Sequence, residues 1–109
     1  MSLYGEYILE REGYSIVETA AGFATFKVNG VECYLRDLYV KPQFRKDGVA
    51  AALADEVQKR AKEMGATILL GSVCVGMLGD TDSLKVLLAY GMKMCGVNGD
   101  FIYFNKEIR

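Results

Sequence analysis

The sequence predicts an α/β (α+β) fold: a mixed, mostly antiparallel sheet flanked by helices, with a bulged central strand. Two Asn-Gly pairs, at 29–30 and 98–99, each lie between apolar and β-branched runs, the pattern of a tight hairpin. An amphipathic stretch at residues 48–64 leads into an almost continuous apolar run at 67–75. Strand, helix and strand in that order make one parallel crossover. The chain has 109 residues, 51% of them apolar and 25% charged, which predicts one domain over residues 1–109 with a single core.

Each element follows from its own pattern. Residues 2–11 place Leu3, Tyr4, Tyr7 and Ile8 at helical spacing, with Gly13 as the stop and Gly5 as a weakness. Residues 14–19 and 23–28 read as strands, and residues 31–40 as the strand returning from Asn29-Gly30. Along that last strand Leu35 and Leu38 are three apart, out of step with a period of two, so a β-bulge is expected at 35–38. Lys41-Pro42 ends it. In the following helix Ala50, Leu53, Val57, Ala61 and Met64 form one face, and Gly65 closes it. The run at 67–75 is expected to pair in parallel and to be buried on both faces. Asp80 or Asp82 can cap a helix reaching about Tyr90, with Gly91 as its stop and a hairpin at 92–97 and 100–106 as the tail.

The composition excludes several kinds of chemistry. Formal net charge is −1, so there is no global basic field for nucleic acid or membrane, and any anion site must be local. No apolar run approaches the roughly 20 residues of a membrane span, and the first residues do not resemble a signal peptide. Cys33, Cys74 and Cys95 are separate, no CxxC pair exists and histidine is absent. No metal site is therefore expected, nor a Ser-His or Cys-His nucleophile. Three isolated thiols fit a cytoplasmic protein.

The segment joining residue 40 to the helix at 48–64 carries the functional argument. A helix N-terminus leaves backbone N–H groups unpaired and favours negative charge. Gly48 lets a ligand approach the backbone, and Arg45 and Lys46 add positive charge beside those amides. These features suit a phosphate or pyrophosphate, although a plain connection with a solvated basic pair has the same composition.

The loop reads Arg-x-x-Gly-x-Ala and resembles the Gln/Arg-x-x-Gly-x-Gly/Ala signature of the GNAT N-acetyltransferase superfamily. Residues 38–45 are similar to that family's fourth strand and pyrophosphate loop, and residues 83–92 to its last helix, which usually ends in Gly-Phe. The resemblance implies acetyl-CoA as cosubstrate and a central strand splayed from its neighbour at the expected bulge. Backbone groups of Leu38, Tyr39 and Val40 would meet the pantetheine arm. Arg45, Lys46, Asp47, Gly48, Val49 and Ala50 would hold the pyrophosphate, and Asp80 and Ser83 would touch CoA from the last helix.

The chain also departs from the family pattern. The tyrosine that protonates the leaving thiolate in many members falls at Leu87 here, with Tyr90 one turn further on as the candidate acid or a core aromatic. The glutamate of histone-acetylating members falls at Tyr34. Glu32 and Asp37 are the nearest carboxylates, and Asp37, beside the bulge, is the better-placed base or else a solvated edge residue. Cys33, Cys74 and Cys95 read as core thiols. The family usually has two helices between its first two strands, but only about thirteen residues precede Tyr14 here, so the acceptor side is expected to be open or completed by another subunit. A homodimer is one arrangement that would complete it, and Tyr4, Tyr7, Tyr14, Phe23 and Tyr39 supply apolar area.

Three functions follow from this reading. The first is transfer of an acetyl group from acetyl-CoA to a primary amine, on a small molecule or a protein, by direct attack in a ternary complex. The second is a non-catalytic acyl-CoA-binding module, which Leu87 favours. The third is a structural or inhibitory protein with an empty groove.

Overall fold

The computed structural model describes residues 2–76 and 80–109, with only the helical backbone at 80–83. In chain order the elements are α1 (Leu3–Glu12), β1 (Ser15–Glu18), β2 (Gly22–Asn29), β3 (Glu32–Val40), a 3-10 turn (Pro42–Phe44), α2 (Val49–Glu63), β4 (Ile68–Cys74), α3 (Asp80–Ala89), β5 (Lys93–Asn98) and β6 (Phe101–Glu107). The strands form one sheet in the order β1-β2-β3-β4-β6-β5. All neighbours are antiparallel except β3 and β4.

Helix α1 is fastened at its start. Ser2 Oγ accepts a hydrogen bond from Gly5 N at 3.0 Å and donates one to Glu18 Oε1 at 2.8 Å. Ser2 N donates to the same oxygen at 3.2 Å, and these bonds hold the Glu18 carboxyl below its ordinary range. Gly13, at φ 73°, ends the helix in the left-handed region. Gly5, the weak point of the helical pattern, is buried with Ile8.

The expected bulge is at Arg36. Phe26 faces Leu35, but Thr25 faces Asp37, so one residue of β3 is extra. Before the bulge β3 is paired on both edges; its parallel pairing with β4 covers only Glu32–Ile68, Cys33–Leu69 and Tyr34–Leu70. Beyond Tyr34 the two strands part. β3 continues against β2 as far as Gly22–Val40, while β4 continues against β6 as far as Cys74–Phe101. Gly22 makes the β2 side tight: a Cβ there would lie 2.1 Å from the Tyr39 carbonyl oxygen.

The main core lies between the sheet and α2. Val17, Ala24, Phe26, Cys33 and Leu35 of the sheet meet Leu53, Val57 and Ala61 of the helix, with Leu69, Val73 and Phe104 continuing the layer. Helix α1 packs on β1, and α3 on β4. Burial of β4 on both faces is not observed. Leu69, Gly71 and Val73 are buried, while Ile68, Leu70, Ser72 and Cys74 are only partly so. Helix α1, ten residues long, packs on the edge strand β1, and Leu70 lines an open cavity instead. Of the three thiols read as core, Cys33 is buried, but Cys74 is only half-buried and Cys95 is exposed, because β5 is an edge strand.

Candidate active site

The 3-10 turn carries the chain from the free end of β3 to α2, and Gly48 is the residue before that helix. Gly48 has φ 80°, in the left-handed region, and a Cβ placed on it would meet nothing within 4 Å. The glycine is thus needed for backbone conformation and leaves open space above the loop. Lys46 is the only non-glycine residue with positive φ among the described residues, at 70°, a conformation that costs about 1–2 kcal/mol. No side chain caps α2 and its first turn has no acidic residue, whereas Arg60 and Lys62 lie in its last turn. The N-terminal amides therefore keep both their hydrogen-bonding capacity and their positive potential.

Arg45 folds back along β3. Its Nε donates to the Val40 carbonyl at 3.0 Å, and its guanidinium lies 5.9 Å from the centre of the Tyr39 ring. No carboxylate pairs with Arg45 or Lys46 among the described residues. Leu38 and Val40 pack against the core with Val49 of α2 and Leu84 and Leu87 of α3. The unpaired edge of β3 from Leu35 to Val40 therefore ends at the cationic loop.

Asp37 lies on the opposite face, toward α1. Its Oδ2 accepts hydrogen bonds from Thr25 Oγ1 at 2.7 Å and Arg36 Nε at 3.1 Å. Oδ1 has no partner among the described residues. Arg36 also pairs with Glu12 at 2.6 Å and lies 4.0 Å from the centre of the Tyr14 ring. Burial opposes the Arg36 charge, but the bonds to Glu12 and Asp37 outweigh it and hold the guanidinium firmly protonated. Asp37, Arg36, Leu38, Tyr39, Phe23 and Tyr4 surround an open cavity of about 480 Å³. A second cavity of about 240 Å³ is lined by Glu32, Tyr34, Tyr14, Lys27, Asn29 and Leu70. Tyr34 itself shares a hydrogen bond with Ser72 at 2.8 Å.

Tyr90 is placed elsewhere, just beyond α3 and against α2. Its hydroxyl donates to Asp55 Oδ1 at 2.5 Å and accepts from Gln58 Nε2. Burial first, then the bond to Asp55, pushes the phenol pKa well above its usual value. The structure thus brings Leu38, Tyr39 and Val40 together with the loop at 45–50, sets Asp37 on the other face, and ties Tyr90 to α2. The side chains of Asp80 and Ser83 lie outside the described residues. Thr25, Glu12, Asp55 and Gln58, which fix the two titratable groups, were not singled out by the sequence. Only the register of the first hairpin could have paired Thr25 with this strand, and the bulge shifts its partner from Arg36 to Asp37.

The sequence matches the acetyltransferase (GNAT) family over residues 3–91. The chain belongs to that family. Among curated proteins, none matches it. Solved GNAT structures share the fold. A GNAT-family protein from Desulfovibrio desulfuricans superposes with a TM-score of 0.79 at 18% identity, covering 95% of this chain and 76% of that one. The PaiA N-acetyltransferase from Thermoplasma acidophilum, solved in complex with coenzyme A, gives 0.77 at 20% identity, covering 96% and 69%. The ribosomal-protein-S18-alanine N-acetyltransferase from Escherichia coli gives 0.70 at 17% identity, covering 99% and 77%. The chain spans 58% of a GNAT-family acetyltransferase from Listeria monocytogenes. Among the described residues no group of three or more candidate metal ligands forms, and no helix is long and apolar enough to cross a membrane.

Proposed function

We propose that this GNAT domain transfers an acetyl group from acetyl-CoA to a primary amine by direct attack in a ternary complex, as a cytoplasmic enzyme. The observation that carries the reading is the parting of β3 from β4 at a bulge, with the free half of β3 ending at an uncapped, cationic helix N-terminus. The open space above Gly48 fits a pyrophosphate, because neither a side chain nor an acidic first turn competes for the amides there. Amides of residues 46–50 and the Arg45 and Lys46 side chains hold the phosphates, the Arg45 amide itself being bonded to the Pro42 carbonyl. Backbone groups of Leu38, Tyr39 and Val40 hold the pantetheine arm. The helix bearing Asp80 and Ser83 faces the same ligand.

When bound, acetyl-CoA supplies an activated thioester. The protein's part is to position the acceptor, to polarise the acyl carbonyl with backbone N–H groups of the free half of β3, and to handle protons. The N–C bond forms as the C–S bond breaks. Asp37 receives the amine's proton at Oδ1, while Thr25 and Arg36 fix the carboxylate through Oδ2. Tyr90 serves as acid to the departing thiolate only by giving up Asp55; otherwise water supplies that proton.

The test is calorimetric titration with acetyl-CoA, followed by amine-dependent release of CoA. Wild-type protein should do both. Asp37→Asn should lower amine-dependent kcat/KM by about 10²-fold, a usual size for a lost general base, while acetyl-CoA affinity stays within about 2-fold, as expected for a group remote from the phosphates. Acetyl-CoA binding with no turnover for any amine would instead make the chain an acyl-CoA-binding module, the reading that Leu87 favours. A homodimer completing the open α1 side is a further part of the proposal, and a monomer mass by sedimentation at micromolar concentration would remove it.

A further inference from the structure

The cavity beside Asp37 has a composition that defines its ligand more narrowly than "an amine". Three aromatic rings form a continuous wall. Tyr4 of α1 meets Phe23 of β2 edge-on, with ring centres 5.9 Å apart, and Phe23 meets Tyr39 of β3 at 5.8 Å. Tyr4 and Tyr39 remain 44% and 45% exposed, so the wall has aromatic surface left uncovered by the protein. Arg36 is the one cation lining the cavity, and Glu12 and Asp37 both pair with it. Within the lining Arg36 offsets the charge of Asp37, and Asp37 Oδ1 is left as an unbonded carboxylate oxygen among the described residues. The site thus offers one unbonded carboxylate oxygen and one aromatic wall on a single open cavity of about 480 Å³.

We infer that the acceptor is a monoamine whose ammonium lies a short chain away from an aromatic ring. The ammonium meets Asp37 Oδ1, and the ring packs on Tyr4, Phe23 and Tyr39. This rests on the acetyltransferase reading and names its substrate class. A polyamine would bring further ammonium groups for which the lining has no second carboxylate, and contact with an exposed ring only partly replaces one. An amino acid would bring its own carboxylate toward Asp37 and Glu12, and Arg36 is already committed to both. A free arylalkylamine and a peptide beginning with phenylalanine share the required chemistry, since both place an ammonium two carbons from a ring.

The experiment measures CoA release from acetyl-CoA with 2-phenylethylamine, n-butylamine, spermidine, phenylalanine and a neutral peptide amide beginning with phenylalanine. Acetyl-CoA binding is measured separately by calorimetry. With 2-phenylethylamine, kcat/KM should exceed that with n-butylamine by about 10-fold, the size of a ring–ring contact plus its buried area, and it should exceed that with spermidine and phenylalanine as well. A peptide rate above the free amine assigns the acceptor to a peptide N-terminus; a lower one assigns it to the free amine. Tyr4→Ala, at an exposed position on α1, should raise KM for 2-phenylethylamine by about 5-fold and raise that for n-butylamine by less, so that the aryl preference shrinks. Phe23→Leu should act in the same direction. Equal rates for the aryl and alkyl amines, or preference for spermidine or phenylalanine, or indifference of the aryl amine to Tyr4→Ala, would overturn the inference while leaving the acetyltransferase reading in place. Absence of acetyl-CoA binding would overturn both.

Discussion

The loop at residues 45–50 and the α1-side face around Asp37 are served by the same strand, yet their charges are paired in opposite ways. On the α1 side Arg36 is held between Glu12 and Asp37, and Lys27 donates to the Glu12 carbonyl, so the cations are spent within the protein and Asp37 Oδ1 is left unbonded among the described residues. At the loop, Arg45 is held only by a neutral carbonyl and an aromatic ring, and Lys46 has no carboxylate partner among the described residues. A chain with a formal charge of −1 thereby carries one region whose charges are paired and one whose cations are not. The unpaired region suits an anionic cosubstrate, and the paired one offers a single carboxylate oxygen. The comparison shows why net charge alone says little here: what matters is which charges the fold leaves uncompensated.

The largest expected effect comes from placing a negative charge in the positive region. Gly48→Asp should weaken acetyl-CoA binding by at least about 10²-fold, since it sets a carboxylate against the phosphates. Aspartate tolerates the left-handed region better than most residues, so the far-ultraviolet circular dichroism should stay native, with a stability loss of about 1 kcal/mol. Unchanged affinity would break the comparison at once.

A smaller effect separates the Tyr90 site from both regions. Tyr90→Phe removes its bonds to Asp55 and Gln58, which join the end of α3 to α2. Stability by urea titration should fall by about 1–2 kcal/mol. With the phenol pKa raised and its proton committed to Asp55, kcat should remain within about 2-fold, since each 1.36 kcal/mol would be tenfold. A loss of tenfold or more in kcat would place Tyr90 among the groups that move protons.

The smallest effect concerns the thiols. Burial pushes the Cys33 thiol up to about 11 from 9.0, so the folded state keeps a proton that the unfolded state loses. That contribution to stability is whole below pH 9.0 and is lost as pH rises toward about 11. At pH 8 a maleimide should label exposed Cys95 rapidly and Cys33 only as the protein unfolds.

Much of this arrangement was legible in the chain. Asn29-Gly30 set the hairpin, and the three-residue step from Leu35 to Leu38 placed the bulge within one residue or so of Arg36. Gly48 marked the start of α2 because only glycine sits easily at φ 80°. The exposure of one β4 face was not legible, since a continuous apolar run does not reveal that α1 packs only at the sheet edge. The pairing of charges was not legible either. Glu12 reaches Arg36 across 24 positions, and Thr25 reaches Asp37 only because the bulge shifts the register by one. Asp55 and Gln58 lie on α2 and meet Tyr90 through helix packing that no local pattern encodes.

The central claim is that the loop at residues 45–50, where Arg45 and Lys46 outnumber Asp47, binds the pyrophosphate of acetyl-CoA. The most direct test compares acetyl-CoA with S-acetylpantetheine, which keeps the thioester arm and lacks the pyrophosphate, by calorimetry at low and high salt. Acetyl-CoA should bind at least about 10²-fold more tightly at low salt, and the gap should narrow as salt screens the charges. Equal affinity for the two at low salt, or a gap that salt does not change, would contradict the account.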